Sequence, residues 1–244
     1  MSTRFYINWP LSPGPVTLTG AEAHHLASVC RLRPGDAVCL FNGDGHEYPA
    51  RIMQIQRREI LLEIDGIDTP QRELPFALEV AAPLPKGDRA QFLVEKLTEL
   101  GVTAFVPLDC QHCVIRPREA KLDKLQRYVI EASKQCGRNV LMKVEAPVNW
   151  STYCAQPTAG ENRWLAHPEG SVASPPPPCP PLRRGGTGGS PTAMRLAVGP
   201  EGGFTDDEVN AGRAHGWQLI GLGPRILRVE TAALALTCLA ISTP

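Results

Sequence analysis

Several features are missing from this 244-residue chain, and each absence excludes a class of protein. No stretch reaches about 18 consecutive apolar residues, so no membrane span is expected. Met1 to Trp9 contain no apolar h-region, so no secretory signal is expected either. Neither sign of charge is in excess: Lys+Arg and Asp+Glu are both 25. A chain with no net charge does not coat nucleic acid through bulk charge, although a local basic patch is still allowed. No Gly-Lys-Ser/Thr occurs, which excludes a P-loop, and the spacing of a dinucleotide fingerprint is absent as well. The eight cysteines are scattered, and Cys30, Cys39 and Cys238 have apolar neighbours. They read as reduced thiols of a cytoplasmic protein. One C-x-x-C pair exists, Cys110-Gln111-His112-Cys113. A structural zinc needs four ligands and no second pair is present, so no metal site is expected. A redox pair would open a helix after a strand. Here Val114-Ile115-Arg116-Pro117 follow, and no redox role is expected.

Hydrophobic residues make up 43% of the chain, enough for a packed core. Residues 1–72 are β-rich, with strand character at Arg4–Ile7, Ala37–Phe41, Tyr48–Gln56 and Glu59–Ile67. Asn42-Gly43-Asp44-Gly45 has hairpin-turn chemistry. Thr19 and Glu22 have capping-box spacing for a short helix to Val29. A small barrel would spare so many short strands their open edges. From residue 73 to 244 strands and helices alternate, which predicts an α/β domain with a mostly parallel sheet. The predicted strands are Phe76–Leu84, Thr103–Leu108, Arg163–Ala166, Met194–Val198 and Trp217–Leu222. The predicted helices are Asp88–Leu100, Glu119–Cys136, one opened by Thr205-Asp206-Asp207-Glu208 and running to His215, and Glu230–Ile241. In the first of these, Phe92, Leu93, Leu97 and Leu100 share an apolar face. Ser171–Pro191 contains PPPPCPP and GGTGG, cannot bury apolar surface, and reads as a flexible insertion over about 171–193.

Two segments carry chemistry. Ala197-Val198-Gly199-Pro200-Glu201-Gly202-Gly203-Phe204 follows a predicted strand and precedes a capped helix. In open α/β sheets ligands bind beyond the carboxyl ends of strands, and glycine lets them approach the backbone. Leu222-Gly223-Pro224-Arg225-Ile226-Leu227-Arg228-Val229-Glu230-Thr231-Ala232 has the same context. Its arginines could grip a carboxylate or phosphate, and Glu230 suits a helix N-terminus. A tight turn with no ligand, or surface salt bridging, would leave the same residues without a function.

In this order and at this spacing the two segments resemble the cofactor loops of the SPOUT superfamily, the trefoil-knotted RNA methyltransferases. Within it they are similar to the bacterial 16S rRNA uridine-N3 methyltransferases. The resemblance extends to Ala23-His24-His25-Leu26 with Arg31-Leu32-Arg33-Pro34-Gly35-Asp36, to Glu95–Val102, to Glu131–Asn139 and to His167-Pro168. It implies an α/β fold in which a C-terminal trefoil-knot methyltransferase domain follows a small N-terminal PUA-like β-barrel. It implies S-adenosylmethionine (SAM) as cofactor, the small ribosomal subunit as partner, and a homodimer whose active site the second chain completes. The cofactor would lie against His167, Pro168, Gly199, Pro200, Glu201, Gly202, Leu222, Gly223, Arg225, Ile226, Leu227 and Thr231.

Uracil N3 is protonated at neutral pH, so the reaction needs a base or a cation that stabilises the uracil anion. Arg228 is the candidate cation, and Glu201 or Glu230 the candidate proton acceptor. Cys110–Lys143 is the most basic window, with eight Lys/Arg against three acids. Arg116 and Arg138 there, with Arg4, Arg31 and Arg33 in the first domain, are candidate RNA contacts. His24 and His25 read as packing residues. A knotted methyltransferase acting on another base or a ribose 2′-hydroxyl, or a non-catalytic RNA-binding assembly factor, would share most of these features.

Overall fold

A computed structural model describes residues 3–24, 26, 30, 32–56, 59–113, 119–157, 162–172 and 193–242. The chain divides into two compact units. The first comprises Met1–Glu73 with Ile130–Leu141, and the second Leu74–Val129 with Met142–Pro244.

In the first unit, β1 (Thr3–Tyr6), β2 (Gly14–Thr19), β3 (Ala37–Phe41), β4 (Tyr48–Ile55) and β5 (Glu59–Ile64) form one sheet in the order β1-β3-β4-β5-β2. β1 and β3 pair in parallel; the other neighbours are antiparallel. Alternate residues Ile60, Leu62 and Ile64 of β5 point to one core with Phe5, Leu18, Leu40 and Ile52. Burying each such side chain contributes about 1.5–3 kcal/mol. The β3–β4 turn uses the expected chemistry: Asn42 Oδ1 accepts from Asp44 N at 3.1 Å, and Asp44 Oδ1 accepts from His46 N at 2.9 Å. Strand β2 has no counterpart in the sequence reading, because Gly14-Pro15 looks like a loop. It is tolerated because β2 is the edge strand of the sheet, paired on one side only. Thr19 therefore ends a strand, and the short helix α1 is Gly20–His24; most of its expected extension to Val29 lies outside the described residues.

Charged side chains tie Ile130–Leu141 into this unit, although the sequence reading assigned it to 73–244. Glu47 accepts hydrogen bonds from both Arg4 and Arg72. Arg4 also reaches Asn139, and Arg72 donates to the Gly137 carbonyl at 2.6 Å. Lys134 pairs with Glu22 at 2.5 Å. Arg138, 4% exposed, donates to both carboxylate oxygens of Glu73 at 2.7–3.0 Å. Arg4 and Arg138, expected from the sequence to contact RNA, are thus placed in the ion pairs and hydrogen bonds of this unit. Both guanidiniums are engaged inside the unit, where a buried charge has to be paired. Arg33 is exposed, while Arg31 and Arg116 lie outside the described residues.

In the second unit every strand pair is parallel. The strands are β6 (Ala77–Ala82), β7 (Ala104–Asp109), β8 (Lys143–Val144), β9 (Val148–Asn149), β10 (Asn162–Val172), β11 (Ala193–Ala197) and β12 (Gln218–Gly221). Their order is β12-β10-β11-β6-β7-β8, with β9 also on β7. The helices are α2 (Asp88–Glu99), α3 (Glu119–Cys136, which from Ile130 on belongs to the first unit), α4 (Trp150–Cys154), α5 (Asp206–Ala214) and α6 (Val229–Ser242). α2 packs on α6, and α5 on α4 and β12. The buried face of α2 is Ala90, Leu93, Val94 and Leu97, whereas Phe92 is 45% exposed, contrary to its expected place on the apolar face. The α5 capping box is present as expected: Glu208 N donates to Thr205 Oγ1 at 3.2 Å, and Thr205 N to Glu208 Oε2 at 2.9 Å. The Pro/Gly insertion falls largely on residues 173–192, outside those described. Its expected first residues, Ser171 and Val172, belong instead to β10 and pair with Ile220 and Gly221 of β12.

Two predictions follow from the charge network. Glu73→Ala leaves the buried Arg138 guanidinium short of its carboxylate and should cost about 2 kcal/mol in urea unfolding. Burial alone would raise the Glu47 pKa, but hydrogen bonds from Arg72 and Arg4 outweigh it and hold the carboxyl below its ordinary value. A depressed folded pKa means that the stability is complete above the unfolded pKa and is lost as pH falls through the folded one. Glu47→Gln should therefore flatten the decline in unfolding midpoint between about pH 6 and pH 3.

Candidate functional site

Parallel pairing puts the carboxyl ends of β10, β11 and β12 at one edge of the sheet. Three loops leave that edge side by side and enclose a cavity of about 490 Å³, a volume typical of small-molecule sites. Ala166–Pro168 line it from β10, Val198–Phe204 from β11 and Leu222–Leu227 from β12, with Ala232 contributed by α6.

The β10 contribution arises from a bulge. Ala166 and Ser171 both register with Ile220, so the four residues between them leave the ladder. Gly170 is where the chain returns. A Cβ there would collide with the backbone of Ile220 and Gly221, so only glycine lets the two strands rejoin.

The β11 loop first continues the ladder, with Val198 N donating to Ala81 O at 2.9 Å. It then turns, with Gly203 N donating to Pro200 O at 2.8 Å. Phe204 anchors its far end, its ring centroid 4.7 Å from that of Trp150. Trp150 in turn meets Trp217 at 5.1 Å and donates from Nε1 to Glu208 O at 2.7 Å. The aromatic cluster and the capping box thus fix the loop on both sides of Thr205. Gly199 is required by this packing: a Cβ would stand 2.8 Å from the Phe204 ring and 3.2 Å from its nitrogen.

The third loop leads into α6, whose first turn is held by Ala232 N donating to Arg228 O at 2.8 Å. Eleven of the residues expected to hold a cofactor line the cavity: His167, Pro168, Gly199, Pro200, Glu201, Gly202, Leu222, Gly223, Arg225, Ile226 and Leu227. Thr231 does not. It is exposed on α6, and the helix turns Ala232 inward in its place. Arg228 is exposed and Glu230 is 6% exposed, and neither lines the cavity.

Sequence reasoning missed two neighbours. Arg89 on α2 lies 3.8 Å from Glu201 and 3.6 Å from Glu230, so one guanidinium faces two carboxylates, one from the β11 loop and one from the first turn of α6. Glu230 Oε2 is buried without a hydrogen-bond partner among the described residues. His112 places Nδ1 3.2 Å from the Gly203 carbonyl. Both residues lie far along the chain from the loops they touch, and no local pattern links them to those loops. The cavity wall combines apolar side chains (Val198, Leu222, Leu227, Ala232) with loop backbone and two opposite charges, Glu201 and Arg225. Such a wall suits a ligand with a flat apolar portion and polar edges.

Residues 72–241 match the RNA methyltransferase domain family, and residues 18–65 the RNA methyltransferase PUA domain. The chain belongs to this family of RNA methyltransferases. More particularly, it is similar to proteins named ribosomal RNA small subunit methyltransferase E. The protein of that name from Synechocystis sp. is 35% identical over 89% of this chain and 69% of the relative. That from Bacillus subtilis is 29% identical over 93% and 90%. A crystal structure of the Neisseria gonorrhoeae protein of that name, bound to S-adenosyl methionine, superposes with a TM-score of 0.84 at 30% identity, covering 98% of this chain and 96% of the other. A Legionella pneumophila methyltransferase in complex with SAM gives 0.85 at 28% identity, covering 98% and 97%.

Gly199→Ala should push the Phe204 ring off Trp150 and cost about 1–3 kcal/mol of stability. The check is urea unfolding followed by tryptophan fluorescence, with the native-state spectrum also shifted.

Proposed function

We propose that the cavity binds SAM and that the protein methylates N3 of a uridine in 16S rRNA of the small ribosomal subunit. The observation that carries this is the meeting of three strand-end loops around one cavity, at the residues expected to hold SAM. The residues present fit that cofactor. Val198, Leu222, Leu227 and Ala232 offer apolar surface, the loop backbone lies open beside them, and Glu201 offers a carboxylate to a cationic group. The relatives solved with SAM support the same reading.

When bound, SAM supplies an electrophilic methyl group on a sulfonium. The chain's own residues must then orient the acceptor and manage its proton. Arg228, exposed at the entry to α6, stabilises the uracil oxygens as the N3 proton leaves. Glu201 is favoured over Glu230 as proton acceptor, because it lines the cavity while Glu230 is buried beside Arg89. Exposed Arg33, Lys124, Arg127 and Lys143 offer phosphate contacts.

A homodimer is part of this proposal. Phe92 on α2 and Leu239 on α6, 45% and 43% exposed, lie on two helices that pack together and leave apolar surface for a second copy to cover. So is threading of the chain into a trefoil knot around β10–β12, and location in the cytoplasm with the ribosome.

Calorimetric titration of the reduced protein with SAM should give one site per chain. Mass spectrometry of 16S rRNA from cells lacking the gene should show one uridine without its methyl; an unchanged rRNA profile rejects the assignment. Arg228→Ala should lower methylation by about 100-fold or more while SAM affinity changes little, as for loss of a group that stabilises developing charge. Wild-type turnover in that variant removes Arg228 from the mechanism.

A further inference from the structure

By spacing alone the Cys110-Gln111-His112-Cys113 pair carries no redox role, because Val114-Ile115-Arg116-Pro117 rather than a helix start follow it in sequence. Its position supplies what the spacing lacked. Cys110 directly follows β7, at the same carboxyl edge of the sheet as the cavity loops. Cys113 N donates to Cys110 O at 3.0 Å, closing a four-residue turn. Such a turn holds its end Cα atoms within about 7 Å, and a disulfide needs about 4.4–6.8 Å. Cys110 N also donates to Cys113 Sγ at 3.1 Å. Cys110 is buried and Cys113 half-buried, so Cys113 is the more accessible thiol of the two.

We propose that Cys110 and Cys113 form a reversible disulfide site, oxidised by low-molecular-weight disulfides, whose state is transmitted through His112 to the cavity loop. Cys113 thiolate attacks one sulfur of the small disulfide. That S–S bond breaks, a mixed disulfide forms, and one small thiolate leaves and takes up a proton. Cys110 releases its proton to solvent, and its sulfur attacks Cys113 Sγ and displaces the second small thiolate. Two protein thiols are oxidised to one disulfide, and one small disulfide is reduced to two thiols.

The thiols are unequal in the sense the step needs. A hydrogen bond from the Cys110 thiol holds the Cys113 thiol below its ordinary pKa against the effect of burial, and the Cys110 backbone N–H adds to it. The same hydrogen bond, then burial, pushes Cys110 up. A lowered thiol is the attacking one at neutral pH.

Transmission follows from contact. His112 sits between the two cysteines, with Nδ1 3.2 Å from the Gly203 carbonyl. Its Cβ would stand 3.1 Å from a Cβ added at Gly202. Gln111 N donates to Glu208 Oε1 at 2.9 Å, the residue that closes the α5 capping box. A new covalent bond across this turn changes the geometry of both contacts. The effect on SAM rests on the function proposed above; disulfide formation does not.

The experiment treats the full-length protein with glutathione disulfide and glutathione at graded ratios, blocks free thiols with iodoacetamide and maps peptides by mass spectrometry. The expected result is loss of two hydrogens in the peptide holding both cysteines, reversed by dithiothreitol, with Cys110→Ser instead trapping glutathione on Cys113. A Cys113 still alkylated where exposed Cys136 has become glutathionylated overturns the site. Hydrogen exchange then compares the reduced and oxidised protein at Gly199–Phe204. Exchange there should quicken by about tenfold on oxidation as the loop loses its support, and identical exchange overturns the transmission. If the reduced protein fails to bind SAM, the proposed function falls, while both of these readouts still decide the disulfide.

Discussion

Parallel pairing of β10, β11 and β12 is the constraint on which the site depends. Parallel neighbours send their carboxyl ends to one edge, so segments far apart in sequence leave the sheet together. The cavity needs nothing more than this and a means of holding the loops still. The bulge in β10 supplies one wall, and it closes only because Gly170 lets the strand return against Ile220 and Gly221. The β11 loop is held by Phe204 in the aromatic cluster at one end and by the sheet ladder at the other. Rigidity of this kind lowers the ordering cost that a ligand would otherwise meet.

Charge is used differently in the two units. In the first, Arg4, Arg72, Lys134 and Arg138 meet Glu22, Glu47 and Glu73, and they bind Ile130–Leu141 into a fold built mainly from residues 1–73. A half-buried ion pair gives little net stability over an apolar contact, but it is costly to break. Such pairs therefore select one arrangement of a returning segment. In the second unit Arg89 faces two acids, Glu201 and Glu230. Two acids thus share one guanidinium beside the cavity, while Arg225 places the opposite charge in its wall.

The element order and most boundaries were legible in the sequence, because periodicity and capping are local. α6 is Val229–Ser242 where Glu230–Ile241 was expected, and the Thr205–Glu208 capping box formed as spaced. β2 was missed because Gly14-Pro15 reads as a loop away from its partner β5. α4 was missed because Trp150–Cys154 is too short for a helical period to show, and its role comes from packing against Phe204 and Trp217. Phe92 fits the apolar stripe of α2 by spacing, yet it faces outward in the single chain.

The sequence by itself determined the alternation of strands and helices, the two glycine-bearing loops and the family they belong to. Each of these is written in contiguous residues, where the backbone's own steric and hydrogen-bonding rules apply. Only the tertiary structure decided which charges face outward. Arg138 and Arg33 are alike as letters, but one is buried against Glu73 and the other is exposed. It also decided that Arg89, His112 and the Cys110–Cys113 turn stand beside the cavity loops. Burial and pairing depend on partners scores of residues away, and a linear pattern carries no distance across a sheet.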